Sequence, residues 1–442
     1  MIGVLKRQFD YLRQHWFVKN ALLLQVGTFA GTLTQAVTGI ILARLLQPEL
    51  FGIYTLAFGI AGLTSLFLGG GAQDAVSVIV SEAYVEKNET KLREGFAYLI
   101  KVSLVASLLA LVLAVWAPIL TDLLYGNRLI GWYAMVIISA AATSTLFFSV
   151  VSLGLQVSGE IKKLTLLITA DQVLRFGLSL LFALNGGGIL GAVFGHLAGS
   201  IIVFVISIRI WARLYKQNPM FPRLRQLLRE VKNIPLVKYL NFSFWITLDR
   251  NVSTLYATLP VLLTGLFLSP THVTFFKLAF GYLNIALSLL GPISILLNVE
   301  FPKMKVADLR QLLRSFTKVS WYGLALSAAL TVGAIAVSPV AFDILYGKNF
   351  RASVPYVFGL AIYGVLFGIG VGLGPMWRAI NKVRASIVIN LITLGVGVPL
   401  GIKLIERFGL WGSVAAVTFW YTFSHFASYF YIRFKLARLL NA

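Results

Sequence analysis

The chain has 442 residues, of which 58% are hydrophobic and only 12% are charged. Soluble domains contain roughly 45–50% apolar and 25% charged residues, so this composition excludes a soluble protein and predicts an integral membrane protein. The chain has no cysteine and only 4 histidines, which excludes disulfides and thiolate ligands and makes a zinc site unexpected. The net charge of +22 is explained by basic cytoplasmic loops, so we expect no nucleic-acid partner, no metal and no cofactor.

Twelve apolar runs are long enough to cross a membrane. A helix needs about 20 apolar residues to span a hydrocarbon core of roughly 30 Å. The runs are continuous rather than alternating, and this pattern favours helices over strands. The predicted spans lie near residues 18–43, 51–70, 95–118, 129–157, 162–185, 187–211, 240–268, 273–298, 315–340, 353–377, 385–404 and 410–432.

The remaining segments define the predicted domain organisation. Residues 1–17 form a basic amphipathic N-terminal segment without a cleavage site for a signal peptide. Residues 18–213 and 240–442 form an N-terminal and a C-terminal six-helix bundle, joined by a basic amphipathic linker at residues 214–239. The linker and the short motif at residues 309–314 place leucines on one helical face among arginines, so we expect both to rest at the lipid headgroups.

The distribution of basic residues predicts the orientation in the membrane. If the N-terminus is cytoplasmic, 29 lysines and arginines lie on the inner side and 6 lie on the outer side. Basic residues concentrate in cytoplasmic loops of membrane proteins. We therefore expect a multi-pass protein of the bacterial inner membrane, or of an archaeal plasma membrane, with both termini in the cytoplasm.

The two halves of the chain repeat each other at an offset of about 221 residues. The motif APILTDLLYG at residues 117–126 reappears as SPVAFDILYG at residues 338–347, and GILGAV at residues 188–193 corresponds to GLWGSV at residues 409–414. Because six spans is an even number, both halves insert in the same orientation. The sequence therefore predicts an all-α fold of about twelve transmembrane helices in two parallel six-helix bundles around a central cavity, which is a transporter architecture.

The repeat also predicts a hinge in two equivalent spans. The second span contains Gly69, Gly70 and Gly71, and the equivalent part of the eighth contains Gly291 and Pro292. Glycine costs about 1 kcal/mol and proline about 3 kcal/mol inside a helix. Interrupted spans at equivalent positions indicate a site between the halves. The alternative is that these residues are simply frequent in membrane helices.

Once 29 basic residues are assigned to the inner side and 6 to the outer side, five charged residues remain in the interior of the predicted spans, namely Arg175, Arg250, Lys277, Asp171 and Asp249. Such a charge near the bilayer centre costs about 2.5–3.5 kcal/mol on insertion scales, so it usually faces a cavity or an opposite charge. Arg175 lies 13 residues into its span and four residues after Asp171, so a structural ion pair is the alternative to a cavity role. Lys277 lies nearer the outer face, where its side chain could instead reach the headgroups.

Two acidic residues near the inner ends of spans are candidates for ion coupling. Asp74 follows the three glycines, and Glu300 ends the eighth span next to Pro302. Either carboxylate could bind a coupling cation. Both are also close enough to the cytoplasmic interface to be merely solvated.

Three motifs resemble those of a known family. ILARLLQPELFGIY at residues 41–54, RFGLWGSVAA at residues 407–416 and AINKVR at residues 379–384 resemble patterns in the polysaccharide flippases. This family is a branch of the multidrug/oligosaccharidyl-lipid/polysaccharide (MOP) exporter superfamily. The resemblance implies a transporter and not an enzyme, in which two bundles alternate access and move a polyprenyl-diphosphate-linked oligosaccharide from the cytoplasmic to the outer leaflet.

With a diphosphate as the expected cargo, the charged residues inside and at the ends of the spans are candidates for binding it and for ion coupling. Arg175, Arg250 and Lys277 would bind the diphosphate, and Asp171, Asp249, Asp74 and Glu300 would couple ions or pair with these cations. Expected partners are the lipid-linked glycan, anionic bilayer lipids and membrane enzymes that polymerise or transfer glycan, and we expect a monomer.

Three other functions remain open at this point. A multidrug/cation antiporter of the same superfamily needs an acidic cavity, but this interior has three bases and two acids. A twelve-helix solute porter shares the arrangement of six plus six spans, but its loop signature is missing after the second span. A membrane enzyme needs paired carboxylates or an activated nucleophile, and no loop contains such a set.

Overall fold

The computed structural model describes residues 16–64, 66 and 70–441. It leaves out the side chains of residues 16–22, 70–71, 74–75, 238–243, 246, 250, 299, 307 and 439–441. Within the described ranges the chain is helical and contains no strand, which confirms the predicted all-α class. Of the sequence predictions, residues 1–15 of the N-terminal segment and Gly69 lie outside these ranges.

Sixteen α-helices succeed one another in the described part of the chain. In the first half they are α1 (Trp16–Thr64), α2 (Gly70–Val85), α3 (Glu89–Tyr125), α4 (Arg128–Val157), α5 (Ile161–Phe182), α6 (Gly188–Gln217) and α7 (Leu224–Asn233). In the second half they are α8 (Leu240–Phe267), α9 (Pro270–Leu287), α10 (Gly291–Ala307), α11 (Leu309–Leu345), α12 (Val354–Gly359), α13 (Ala361–Phe367), α14 (Leu373–Ala379), α15 (Val383–Phe408) and α16 (Leu410–Asn441).

Seven helical stretches in the described residues are long and apolar enough to cross a membrane, or eight if one bent pair counts as a single span. The stretch over residues 23–64 is 42 residues long and that over residues 161–217 is 57 residues long. At 1.5 Å per residue each exceeds a hydrocarbon core of about 30 Å. Within the described residues, each of the twelve predicted runs falls on one of the helices or on a succession of them, and residues 65 and 67–69 of the second run lie outside the described residues.

The repeat is visible in the helix ends. Helices α3 and α11 are both 37 residues long, and each contains a proline near its end, Pro118 or Pro339. Each helix begins with an N-cap side chain. The Asn88 side chain accepts a hydrogen bond from the backbone N–H of the third residue of α3, and the Asp308 side chain accepts one from that of the second residue of α11. Such caps satisfy amide groups that the first turn of a helix leaves unpaired.

The turns that follow the fifth helix of each repeat share an unusual backbone conformation. Gly188 has φ 50° and ψ −133°, and Gly409 has φ 56° and ψ −131°. Only glycine enters this region without steric cost. The two residues are 221 positions apart, so both halves turn from their fifth to their sixth helix in the same way.

The chain divides into two compact units, Met1–Leu46 with Ile60–Arg250 and Gln47–Gly59 with Asn251–Ala442. Residues Gln47–Gly59 of α1 therefore pack with the second unit, whereas the residues of α1 on either side of them pack with the first. The backbone at Gln47 has φ 61° and ψ 170°, which interrupts the helix, and Thr274 Oγ1 donates a hydrogen bond to the carbonyl of Pro48 at 2.6 Å. The predicted bundle boundaries stay a prediction.

The linker helix α7 packs one face on protein, and its expected position at the headgroups stays a prediction. Leu227 is fully buried in the core of the first unit. Arg93 Nε lies 3.6 Å from Glu230 Oε2, and Lys101 Nζ donates to the carbonyl of Ile234 at 2.7 Å. The leucine motif at residues 309–314 forms the first turns of α11 rather than a separate helix, and its expected position at the headgroups also stays a prediction.

The tenth predicted span is broken rather than continuous. Residues 348–379 form a 3-10 turn, α12, α13, a second 3-10 turn at Gly368–Gly372 and α14. The parts before and after Leu360 differ in direction by 55°. An added Cβ on Gly368 would lie 2.0 Å from the carbonyl oxygen of Gly323, so α11 crosses this span at backbone contact.

Candidate functional site

Asp171 and Arg175 form an ion pair on one face of α5. Arg175 Nη2 contacts Asp171 Oδ2, and Arg175 Nε donates to the backbone carbonyl of Asp171 at 3.4 Å. The Asp171 side chain is 7% exposed and the Arg175 side chain 18%. The four-residue spacing places both on the same helical face, so the pairing that the sequence offered as an alternative is present.

Close helix packing holds the pair in place. An added Cβ on Gly199 of α6 would lie 2.6 Å from Arg175 Cα, so the two helices approach at a distance that only glycine permits. The buried ring of His196 packs against Phe176 at 5.3 Å. From the other side, Thr38 of α1 donates to the carbonyl of Phe176 at 3.4 Å. Asp171 and Arg175 thus lie where α1, α5 and α6 meet within the first unit.

The hydrogen bonds of the pair leave donors on the arginine. Gln172 Nε2 donates to Asp171 Oδ2 at 3.3 Å, and Asp171 Oδ1 has no hydrogen-bond partner among the described residues. Arginine has five N–H donors. Within the described part of the chain, Arg175 directs Nε and Nη2 to Asp171, and its remaining donors have no protein acceptor. The guanidinium can therefore bind a further anion without leaving the aspartate.

Of the other two predicted cations, the structure describes the side chain of Lys277 but not that of Arg250. Arg250 lies in α8, but its side chain lies outside the described residues. The neighbouring Asp249 is half-buried. Arg175 belongs to the first unit and Lys277 to the second. The convergence of the three cations on one cavity therefore stays a prediction.

Lys277 lies in α9 and its side chain is exposed. It follows the first residue of α9, Pro270, by seven positions, which is about two helical turns. No acidic side chain among the described residues pairs with it. Gly281 and Asn284 follow on the same helical face at spacings of four and seven residues.

The structure gives little support for ion coupling by Asp74 or Glu300. The backbone of Asp74 lies in α2, and its side chain lies outside the described residues. Glu300 Oε1 lies 2.9 Å from Lys303 Nζ, and both side chains are at least half exposed, which is typical of a solvated pair. The described residues contain no cluster of three or more acidic or histidine side chains that could hold a metal ion.

The predicted hinge positions coincide with helix ends. Gly70 and Gly71 begin α2. In the second unit a 3-10 turn at Ser288–Leu290 separates α9 from α10, and Pro292 stands in the first turn of α10. Proline is favoured there because the first turn has no acceptor for its missing N–H. Bending at these positions stays a prediction.

Sequence reasoning missed a set of polar side chains within the second unit. Tyr363 donates its hydroxyl hydrogen to Asn284 Oδ1 at 2.6 Å. Ser424 donates to Asn390 Oδ1 at 2.5 Å, and Tyr256 donates to the carbonyl of Asn390 at 3.4 Å. All of these side chains are uncharged, so the cost of a charge in the membrane does not single them out. The signal that could have found this set is asparagine within an apolar run, because a buried amide needs partners in the membrane.

Comparison with known proteins defines the class. The model of the polysaccharide biosynthesis protein family matches residues 17–305, and the chain belongs to this family. An inward-facing multidrug resistance MATE family transporter of the MOP superfamily is similar in structure, with TM-score 0.78, 14% identity and coverage of 93% of this chain and 96% of that chain. The chain thus belongs to the polysaccharide biosynthesis protein family and has the fold of MOP-superfamily transporters, as its motifs predicted.

Two further solved structures share the fold. The Vibrio cholerae MATE transporter VcmN has TM-score 0.67, 16% identity and coverage of 97% of this chain and 98% of that chain. The lipid II flippase MurJ, in an inward closed conformation, has TM-score 0.66, 15% identity and coverage of 94% of this chain and 87% of that chain. No curated protein sequence matches the chain.

Proposed function

We propose that this chain is a flippase that moves a polyprenyl-diphosphate-linked oligosaccharide from the cytoplasmic to the outer leaflet by alternating access. Its family, named for polysaccharide biosynthesis, supports a glycan as cargo. The fold is shared with a flippase for lipid II. The observation that carries the proposal is the Asp171–Arg175 pair, which holds a guanidinium with uncommitted donors inside a membrane helix.

The pair suits a diphosphate for a physical reason. A lone arginine in the membrane costs about 2.5–3.5 kcal/mol on insertion scales, and Asp171 compensates this charge while no substrate is bound. When a diphosphate arrives, the planar guanidinium can bind two of its oxygens at once. In this proposal Arg250 and Lys277 provide further contacts to the same diphosphate, and Asp171 positions Arg175.

The fold alone is as compatible with the export of cationic drugs as with the flipping of a lipid-linked oligosaccharide, since MATE transporters share it. The charges inside the predicted spans favour an anionic cargo instead. An arginine that keeps free donors and a lysine without an acidic neighbour among the described residues would repel a cationic drug.

The test is a flipping assay with a labelled polyprenyl-diphosphate glycan in proteoliposomes. We expect Arg175→Ala to abolish flipping and Arg175→Lys to restore it only in part, because lysine lacks the planar fork. Lys162→Ala is the matched control, since it removes an exposed cation from the same helix, and it should flip at the wild-type rate.

Stability measurements separate substrate binding from a purely structural role. Removing one partner of a buried ion pair costs about 3–5 kcal/mol, so Arg175→Ala and Asp171→Ala should each melt at a lower temperature. The double variant Asp171→Ala/Arg175→Ala removes both charges and should regain stability. A stable double variant that remains inactive supports the proposal, whereas one that flips normally refutes it.

We further propose that export needs little stoichiometric ion coupling. Moving one charge through 100 mV is worth about 2.3 kcal/mol, so two negative charges leaving an inside-negative cell gain about 4–5 kcal/mol per 100 mV. A potassium-diffusion potential should therefore change the flipping rate, and Glu300→Gln should not. Flipping that ignores the potential but stops without a sodium or proton gradient would contradict this proposal.

A further inference from the structure

A groove of about 360 Å³ opens on the first unit between the end of α4, the start of α5 and the end of α6. Its polar residues are Lys163, Arg213 and Gln217, which lie at the predicted cytoplasmic ends of α5 and α6. The rest of its wall is apolar. The groove is separate from the ion pair on α5, because neither Asp171 nor Arg175 lines it.

The apolar wall extends from the polar end toward the middle of both helices. On α5 it runs from Leu166 to Ala170, which lies seven residues beyond Lys163. On α6 it runs back to Ile206, seven residues before Arg213. Seven residues of helix span about 10 Å. The groove thus places cations at the headgroup level and an apolar surface about 10 Å deeper, which is the polarity of a phospholipid.

The charge at the polar end is only partly compensated. Lys163 Nζ lies 3.0 Å from Glu160 Oε1 and 3.4 Å from Gln217 Oε1. Arg213 has no acidic partner within 4 Å among the described side chains, and it is exposed. Leu166, in the apolar wall, is 69% exposed. A phosphate between the two cations and an acyl chain over the leucine would match both surfaces.

We propose that this groove binds one anionic phospholipid of the bilayer. Its phosphate lies between Lys163 and Arg213, Gln217 donates an amide hydrogen to the headgroup, and one acyl chain covers the wall formed by Leu166 and Ile206. Basic pockets between transmembrane helices on the cytoplasmic side bind anionic headgroups in this manner. The site holds a structural lipid and does not require that the chain flips a glycan.

The experiment compares the full-length protein in phosphatidylcholine nanodiscs with and without phosphatidylglycerol. The variant Lys163→Gln/Arg213→Gln removes both cations of the groove. The matched control, Lys162→Gln/Lys216→Gln, removes two exposed cations from the same helices at the same level, outside the groove. Both variants carry the same net charge, so they differ only in where the cations are missing.

We expect phosphatidylglycerol to raise the melting temperature of the wild type and of the control, and to have little effect on the groove variant. Each cation near the headgroups contributes about 1 kcal/mol. Two cations therefore correspond to roughly a 30-fold loss of lipid affinity, which can be measured by native mass spectrometry of the lipid that the protein retains. Equal behaviour of both variants would overturn the proposal, because it would show unspecific attraction to the membrane surface.

Two further arms identify the ligand. Leu166→Asn keeps the cations but places an amide on the apolar wall, and it should also weaken retention of phosphatidylglycerol. Inorganic phosphate added to the protein in phosphatidylcholine should not stabilise it. If phosphate alone stabilises the wild type as well as the lipid does, the groove is an anion site and the lipid assignment is wrong. Equal melting of all variants in phosphatidylcholine alone verifies that they fold.

Discussion

The straight helix α4 and its broken counterpart at residues 348–379 show how one repeat produces two different spans. In α4, Phe147 is buried and lies 6.0 Å from Trp211 in the core of the first unit. The residue 221 positions later is Gly368, which contacts the backbone of Gly323. One half thus fills the crossing with a large ring, and the other brings two backbones together. The two halves therefore share the positions at which their helices begin and end, but their helices cross in different ways.

The fifth and sixth helices of each half show a similar exchange. In the first half, Phe176 of α5 is buried and Gly199 of α6 lies against the α5 backbone. In the second half, the equivalent positions are Gly397 of α15 and Trp420 of α16, and an added Cβ on Gly397 would lie 2.5 Å from the Trp420 ring. The large and the small residue have exchanged helices, so total volume is kept while the geometry differs.

The two halves also differ in the charges that they carry. Asp171 and Arg175 on α5 correspond to Ile392 and Val396 on α15, and both of these apolar side chains are exposed. The ion pair is therefore specific to the first half. Because the repeated scaffold forms without it, we interpret the pair as a functional addition rather than as a requirement of the helix packing.

The largest effect should come from Gly368→Ala. Its Cβ would meet the Gly323 backbone at 2.0 Å, so α11 and the broken span must separate. Overpacking of this kind costs about 1–3 kcal/mol, occasionally more, and we expect a clear loss of thermal stability. Gly374→Ala is the control, since nothing lies within 4 Å of its added Cβ. Equal melting temperatures for the two variants would contradict the backbone contact.

A smaller effect is expected from Gly199→Ala in the first half. The added Cβ would lie 2.6 Å from Arg175 Cα, so the substitution should displace the arginine as well as loosen the helix pair. We expect reduced flipping with a moderate loss of stability. Gly177→Ala, on α5 itself and with open space around its Cβ, should melt at or slightly above the wild-type temperature. Full activity of Gly199→Ala would show that the position of Arg175 does not matter.

The sequence was sufficient for the helices and insufficient for their interruptions. Apolar length predicted where the long helices lie, although the described residues contain seven or eight stretches able to cross a membrane rather than the twelve predicted. The motifs around Gly126 and Gly347 predicted the repeat. The bend at Leu360 and the 3-10 turn at Gly368–Gly372 had no such signal. Gly368 contacts the backbone of Gly323, 45 positions earlier in the chain, and glycine is too frequent in membrane helices to indicate such a contact. The interruption at Gln47 did have a local signal, because a residue before proline is disfavoured in the helical conformation.

The candidate site was predictable in part for similar reasons. The spacing of Asp171 and Arg175 made their pairing foreseeable. The burial of Leu227 in the first unit was not, because an amphipathic helix can rest equally well on lipid or on protein. Only the tertiary structure distinguishes these two environments.

The smallest expected effect concerns a surface pair that only one half possesses. Asp343 and Arg351 form a two-pronged ion pair near the predicted outer face, with Arg351 Nε donating to Asp343 Oδ1 at 2.6 Å. The equivalent residues of the first half are Asp122 and Ile130. Asp122 therefore has no arginine at the position that Arg351 occupies relative to Asp343. Arg351 is 61% exposed, and exposed pairs contribute little and are weakened by salt. We therefore expect Asp343→Asn to lower the melting temperature slightly at low ionic strength and not at all in molar salt, while Asp122→Asn changes it in neither condition. A loss for Asp343→Asn that persists in molar salt would mean that the side chain stabilises the turn by hydrogen bonding rather than by charge.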